Sequence, residues 1–134
     1  MQVRDAMTRQ VATVAPTTSA LAALRMMSGR RIRHLPVVDS DELVGIVSDR
    51  DLTPAIRTPP SADLRARTVG RLMSSPVQSV RPDDDLLAAT RQLLAWRISA
   101  LPVVDHGRVV GILTTTDCLE AMVSAIGDAT SSTG

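Results

Sequence analysis

Apolar and polar positions follow one another along the chain in stretches that predict a small mixed fold. Residues 35–47 contain two short apolar runs on either side of a polar turn, which indicates a β-hairpin. Residues 20–28 carry apolar side chains at helical spacing, which indicates a helix before the hairpin. Thr18 or Ser19 can cap the start of this helix, and Gly29 can end it.

Shorter patterns flank these elements. Residues 11–14 alternate between apolar and polar side chains, which is typical of a short strand. After the hairpin, Ser48 can cap a further helix that carries Asp51 in its first turn. Pro54 lacks an amide donor, so we expect this helix to be short or bent. The complete order is strand, helix, strand, strand, helix.

The same order occurs a second time. The motif Leu-Pro-Val-Val-Asp begins at Leu35 and again at Leu101, and the pattern Ser/Thr-x-x-Asp ends at Asp51 and again at Asp117. Both pairs are 66 positions apart (101 − 35 and 117 − 51), so nothing is inserted or deleted between these motifs. A constant offset indicates a duplicated structural unit.

This duplication predicts the organisation of the chain. The expected fold class is α/β (α+β), with two β-α-β-β-α repeats at 1–56 and 68–127, a linker at 57–67 and a flexible tail at 128–134. A unit of about 55 residues buries too little surface to be stable alone. We therefore expect the two repeats to pack sheet against sheet with pseudo-twofold symmetry.

Composition argues against nucleic-acid binding. The chain has 134 residues and 44% hydrophobic content, but Trp96 is its single aromatic residue, so the stacking platforms of single-strand binders are missing. The net charge is +1, and all 15 basic residues are Arg. A near-neutral chain predicts no polyanion partner, and together with the missing aromatic residues this disfavours a nucleic-acid partner.

Other residue types narrow the function further. No apolar run reaches the length of a membrane span and the N-terminus lacks a signal-peptide core, so we expect a cytoplasmic protein with no membrane partner. Cys118 is the only cysteine and has no Cys or His at metal-ligand spacing, so we expect no metal site. His34 and His106 have no motif-level nucleophile or carboxylate pair, so we predict no catalysis and no catalytic residue.

The paired motifs resemble a tandem cystathionine β-synthase (CBS) domain pair, also called a Bateman module. The resemblance extends from about Val3 to Ile126 and predicts a stand-alone module. It implies a regulatory, signal-transducing protein that binds AMP, ADP, ATP or S-adenosylmethionine in clefts between the repeats. It also implies a homodimer and an unidentified protein target.

The resemblance further implies which residues bind the ligand. In the family, the Asp of Ser/Thr-x-x-Asp bonds to ribose hydroxyls, the Ser/Thr helps to hold phosphate, and residues around the first hairpin strand line the adenine. Carried over to the first repeat, the ligand-binding residues are Thr13, His34, Leu35, Pro36, Ser48, Arg50 and Asp51. In the second repeat they are Ser79, Ala100, Leu101, Pro102, Thr114 and Asp117.

A structural alternative for the Ser/Thr-x-x-Asp pattern remains open, and the two copies of the pattern differ at the position of Arg50. The Ser/Thr-x-x-Asp pattern also fits a helix capping box, and the hydroxyl can serve both roles. Arg50 corresponds to Thr116, so we expect the site that gathers arginines to prefer the more phosphorylated ligand, since an Arg–phosphate hydrogen bond contributes about 1.5–3 kcal/mol.

A functional alternative and a question of assembly also remain open. The protein could be a structural protein-protein interaction module whose clefts are empty. The apolar stripe Leu119, Met122, Val123 and Ile126 predicts a homodimer surface, and ordinary intrachain core is its alternative.

Overall fold

The computed structural model describes residues 1–9, 12–57 and 67–132. The helices are α1 (Val3–Ala6), α2 (Ala20–Arg30), α3 (Asp49–Arg57), α4 (Val69–Leu72), α5 (Leu86–Trp96) and α6 (Thr115–Ser132). The strands are β1 (His34–Asp39), β2 (Glu42–Ser48), β3 (Ala100–Asp105) and β4 (Arg108–Thr114). The mixed fold predicted from the sequence is confirmed.

Both predicted hairpins form, with the same register. Strands β1 and β2 pair antiparallel with His34 opposite Ser48, and β3 and β4 pair antiparallel with Ala100 opposite Thr114. Each hairpin has a register shift at the same place, after Val37 in the first and after Val103 in the second. The two copies of the motif therefore fold alike.

The strand predicted at 11–14 is reduced to one bridge. Val14 pairs in parallel with Val37, and Val11 lies outside the described residues. Pairing stops there because the amide of Ala15 donates to Thr18 Oγ1 at 3.2 Å and Pro16 has no amide hydrogen. The second copy has the matching bridge between Val80 and Val103.

Helix α2 begins as predicted, and both α2 and α5 end in a way that the sequence does not indicate. Ser19 Oγ accepts from the amide of Ala22 at 3.1 Å, which identifies Ser19 as the cap. The predicted end at Gly29 is wrong, because α2 continues to Arg30. Arg31 closes the helix in the left-handed conformation with φ 56°. Arg97 closes α5 in the same way, with φ 53°.

Helices α3 and α6 compare differently with the predictions. Helix α3 is short, with 9 residues, as predicted, but Pro54 lies inside it and does not end it. Helix α6 continues past the predicted end of the repeat at 127 and runs to Ser132, so 128–132 of the predicted flexible tail are helical. The sequence places no proline after Gly127, and a helical glycine costs only about 1 kcal/mol relative to alanine. Residues 133–134 of the predicted tail lie outside the described residues.

The chain forms two compact units that are not the linear repeats. One unit is Ala12–Val77, and the other combines Met1–Val11 with Gln78–Gly134. The N-terminal segment joins the second hairpin through paired backbone hydrogen bonds between Thr8 and Ile112, both 2.9 Å. The predicted repeat boundaries stay a prediction from the sequence. Residues 58–66 of the predicted linker lie outside the described residues.

Each unit has its own apolar core. Leu35, Val47 and Leu52 are fully buried in the unit Ala12–Val77, where Val69 from α4 joins them. In the other unit, the fully buried cluster contains Val3, Leu101, Val103 and Leu113. Val3 and Val69 are 66 positions apart (69 − 3), so each short helix, α1 or α4, supplies one valine to the core of the hairpin it packs on.

Candidate functional site

The first candidate site lies where β2 passes into α3. His34 and Ser48 face each other across the last pair of the hairpin, and the amide of Asp49 donates to the carbonyl oxygen of Arg33 at 3.0 Å. These contacts bring the start of β1 and the first turn of α3 together. His34, Ser48 and Asp51 therefore occupy the same end of the unit.

Ser48 and Asp51 form a reciprocal capping box. Ser48 Oγ accepts from the amide of Asp51 at 3.2 Å, and Asp51 Oδ2 accepts from the amide of Ser48 at 2.9 Å. Among the residues that the structure describes, none donates to Asp51 Oδ1. The box therefore holds the carboxylate still and leaves one of its oxygens available.

Thr114 and Asp117 form the same box in the second candidate site, with one addition. Thr114 Oγ1 accepts from the amide of Asp117 at 3.1 Å, and Asp117 Oδ2 accepts from the amide of Thr114 at 2.9 Å. Asp117 Oδ1 accepts from Thr8 Oγ1 at 3.0 Å. Each oxygen of the Asp117 carboxylate therefore accepts a hydrogen bond. Asp117 is only 8% exposed, whereas Asp51 is half-buried.

The apolar residues assigned to the sites are interior residues. Leu35 and Leu101 have no exposed surface, and the side chains of Pro36 and Pro102 are also fully buried. Ala100 is 5% exposed. These five residues therefore contribute first to the cores of their units, and their role in lining a ligand site stays a prediction.

Thr13 and Ser79 lie next to the bridges that flank the hairpins. Thr13 precedes Val14 and is half-buried, whereas Ser79 precedes Val80 and is exposed. The amide of Val14 donates to the carbonyl oxygen of Pro36 at 3.1 Å, so Thr13 lies alongside β1. Both residues are brought to the edge of the hairpin that the sequence assigns to them.

His34 titrates below its ordinary range. Burial disfavours the imidazolium and lowers the pKa of His34 from its usual 6.5, and Arg33 acts in the same direction. Asp49 and Asp51 oppose this effect because their negative charges favour the protonated ring. The net direction is downward, so the ring beside Ser48 is neutral at pH 7.

Arg50 lies in an open groove on α3. The side chain is exposed, and it lines a cavity of about 510 Å³ together with Asp49, Thr53, Pro54 and Arg57. The two arginines make this groove cationic. The set of lining residues does not include Asp51, so the groove and the available carboxylate oxygen are separate features of the same helix.

A second groove, which is apolar and has a volume of about 500 Å³, lies between α5 and α6. Leu94 is 74% exposed on its rim, and Leu119 and Met122 are about half exposed. The stripe predicted on α6 therefore stays on the surface of its unit, and the alternative of intrachain core is wrong for Leu119, Met122, Val123 and Ile126, which are 50–69% exposed.

Sequence reasoning missed Thr8. Its contact with Asp117 spans 109 positions and depends on the N-terminal segment crossing to the second hairpin. The sequence does contain a weak indication of this position, because Met7-Thr8 is repeated as Met73-Ser74 at the same offset of 66 (74 − 8). A hydroxyl at this place in both copies indicates a shared position near the Ser/Thr-x-x-Asp pattern.

A metal site and a membrane-spanning helix each place requirements on the described residues. Among them, no group of three or more His, Cys, Asp or Glu residues is arranged to hold a metal ion. In the same part of the chain, no helix has the length and apolar character needed to span a membrane.

Two hairpin units, each with a Ser/Thr-x-x-Asp box at the start of the following helix, define a class of duplicated α+β modules. The particular family is that of the CBS domain, whose model matches residues 3–58 and 69–124, and the chain belongs to it. The resemblance inferred from the motifs is confirmed.

Relatives and solved structures agree with this assignment. The CBS domain-containing protein YhcV of Bacillus subtilis is 34% identical over 115 residues, which cover 86% of this chain and 81% of YhcV. The homoserine O-acetyltransferase of Methanohalobium evestigatum is 35% identical over 117 residues, which cover 86% of this chain but only 23% of that enzyme.

Two solved structures share the fold over nearly the whole chain. CBSX2 in complex with AMP has a TM-score of 0.79 and 31% identity, covering 92% of this chain and 97% of that one. The CBS domain pair of MJ0100 with 5′-methylthioadenosine and S-adenosyl-L-methionine has a TM-score of 0.82 and 27% identity, covering 93% and 98%.

Proposed function

We propose that this protein is a regulatory module that binds an adenosine-containing ligand and catalyses no reaction. The proposal is based on the hydrogen bonding of the Asp51 carboxylate. Its Oδ2 accepts from the amide of Ser48, and its Oδ1 accepts from no described residue. A fixed carboxylate with one available oxygen is suited to accept a hydrogen bond from a ribose hydroxyl. The AMP complex of CBSX2 and the S-adenosyl-L-methionine complex of MJ0100 support the same ligand class.

The neighbouring groups fit this role. Ser48 lies at the start of α3, where backbone amides and the helix dipole favour an anion. The exposed Arg50 and Arg57 add positive charge along the same helix. We propose that a phosphate chain longer than that of AMP extends towards this charge, so the proposal includes a preference for ATP over AMP.

Isothermal titration of the full chain with AMP, ATP and S-adenosylmethionine tests the proposal, with GMP as the base-mismatched control. We expect saturable binding of at least one adenosine ligand and none of GMP. Absence of heat with all three adenosine ligands, checked by equilibrium dialysis, would contradict it. Arg50→Gln should lower the affinity for ATP about tenfold and that for AMP much less, because it removes a charge-assisted hydrogen bond.

A structural interaction module is the second candidate, and the exposed apolar surface of α5 and α6 favours it. Leu94 is 74% exposed and Val123 is 69% exposed, and such surface on a soluble unit marks an interaction site. We propose that a second copy of the chain covers this surface, which makes a homodimer compatible with either function. The protein target and the cytoplasmic location remain predictions.

A further inference from the structure

The two Ser/Thr-x-x-Asp carboxylates differ in one contact. Asp117 Oδ1 accepts from Thr8 Oγ1 at 3.0 Å. The corresponding oxygen of Asp51 accepts from no residue in the described ranges. Asp117 is also more deeply buried than Asp51, and Thr8 itself is exposed. An exposed residue, Thr8, is therefore in contact with the buried Asp117 carboxylate.

The position of Thr8 is set by its backbone. The amide of Thr8 donates to the carbonyl oxygen of Ile112, and the amide of Ile112 donates to the carbonyl oxygen of Thr8, both at 2.9 Å. Gly111 makes this approach possible, because a Cβ there would lie 2.6 Å from the Thr8 carbonyl oxygen. Thr8 is β-branched, which restricts its side chain to few rotamers. The hydroxyl is therefore directed to Asp117 by fixed neighbours.

The first copy provides the matched comparison. Ser74 occupies the position of Thr8 and pairs with Ile46 through backbone hydrogen bonds of 2.9 and 3.2 Å. Within the described residues, its hydroxyl donates to neither oxygen of Asp51. The backbone arrangement is thus duplicated, whereas the hydroxyl–carboxylate hydrogen bond is present in one copy only.

We infer that Thr8 restricts adenosine binding to the first repeat by occupying and covering the Asp117 carboxylate. This inference rests on the proposed function. Thr8 Oγ1 already donates to Asp117 Oδ1, and Asp117 is only 8% exposed, so a ribose hydroxyl competes with Thr8 for this oxygen. At Asp51 it meets an available oxygen. Displacing a hydrogen bond to a charged group lowers a binding constant about tenfold or more. The chain then binds one ligand at concentrations that leave the second repeat empty.

Calorimetric titration of the full chain with AMP tests the inference through stoichiometry. Wild type should bind one AMP per chain, and Asp51→Asn should remove that binding. Thr8→Val keeps the size and β-branching of the side chain but removes the donor. It should add a second site or strengthen a weak one at least about tenfold.

Matched variants separate the hydroxyl from the packing. Thr8→Ser retains the donor and should behave as wild type, and Ser74→Ala should leave the isotherm unchanged. If Thr8→Val does not fold, as judged by circular dichroism, Thr8→Ala provides the same test, and Asp51→Asn tests the assignment independently. Two equal sites in wild type, full binding by Asp51→Asn, or a wild-type isotherm for folded Thr8→Val would each overturn the inference.

Failure of the inference differs from failure of the proposed function. AMP binding to wild type that requires Asp51, with no effect of Thr8→Val, overturns only the role of Thr8. Absence of AMP, ATP and S-adenosylmethionine binding by wild type and by Thr8→Val overturns both.

Discussion

The carbonyl oxygen of Thr8 lies 2.6 Å from the position that a Cβ atom at Gly111 would occupy. The oxygen belongs to backbone that is itself paired with Ile112, so it cannot move away freely. We predict that Gly111→Ala destabilises the protein by about 2 kcal/mol, as overpacking of a buried site does. Urea unfolding followed by circular dichroism measures this as a lower transition midpoint.

Gly127→Ala is the matched control for Gly111→Ala. A Cβ at Gly127 meets nothing within 4 Å, and the residue lies inside α6. Replacing a helical glycine by alanine should raise stability by up to about 1 kcal/mol. Equal effects of the two substitutions would contradict the close approach of the N-terminal segment to β4.

The two capping boxes predict unequal stability losses. Asp51→Ala removes the acceptor for one amide, which should cost about 1 kcal/mol. Asp117→Ala removes the acceptor for an amide and for the Thr8 hydroxyl at a buried site, so it should cost about 2 kcal/mol or more. Unfolding free energies from urea titration measure the difference. Identical losses for both variants would argue against a stabilising contact from Thr8.

The elements that the sequence predicts correctly depend on short-range patterns. The hairpins follow from apolar runs around a polar turn, and the Ser19 cap follows from the residue type beside the first apolar position. The boxes at Ser48 and Thr114 span three positions each, so their spacing alone predicts them. The constant offset of the repeats then transfers each element from one copy to the other.

The features that sequence reasoning missed depend on contacts between distant segments. Thr8 reaches Asp117 across 109 positions because the N-terminal segment packs on the second hairpin, and no local pattern contains that information. The end of α2 was misplaced because Arg31, a residue with no special left-handed preference, adopts φ 56°. The motif that predicts Leu35 as a ligand-lining residue carries no information on its burial, and its side chain lies in the core.

The lowered pKa of His34 predicts a pH-dependent stability. Burial makes the protonated ring less favourable in the folded chain than in the unfolded chain, whose pKa is near 6.5. The unfolded state therefore binds more protons, and the free energy of unfolding falls as the pH decreases below about 6.5. Urea unfolding at several pH values between 5 and 8 measures this slope.

His34→Ala is the variant that isolates the His34 contribution, because alanine already occupies the equivalent position 100. It should reduce the loss of stability between about pH 7 and 5. His106→Ala is the control, since the His106 side chain is 91% exposed and lies in a hairpin turn. A pH profile of His34→Ala that matches the wild type would exclude His34 as the source of the slope.

The exposed apolar surface of α5 and α6 predicts an association equilibrium. Val123 is 69% exposed and Leu94 is 74% exposed, so a charge at either position would have to be buried if a second copy covered them. Leaving such a charge unpaired at an interface is costly, and we expect Val123→Glu to raise the dimer dissociation constant at least about a hundredfold. Sedimentation equilibrium should show a dimer for wild type and a monomer for Val123→Glu at micromolar concentration. His106→Glu adds the same charge at an exposed turn and should leave the mass unchanged. A monomeric wild type would refute the homodimer and would leave this surface to a different partner.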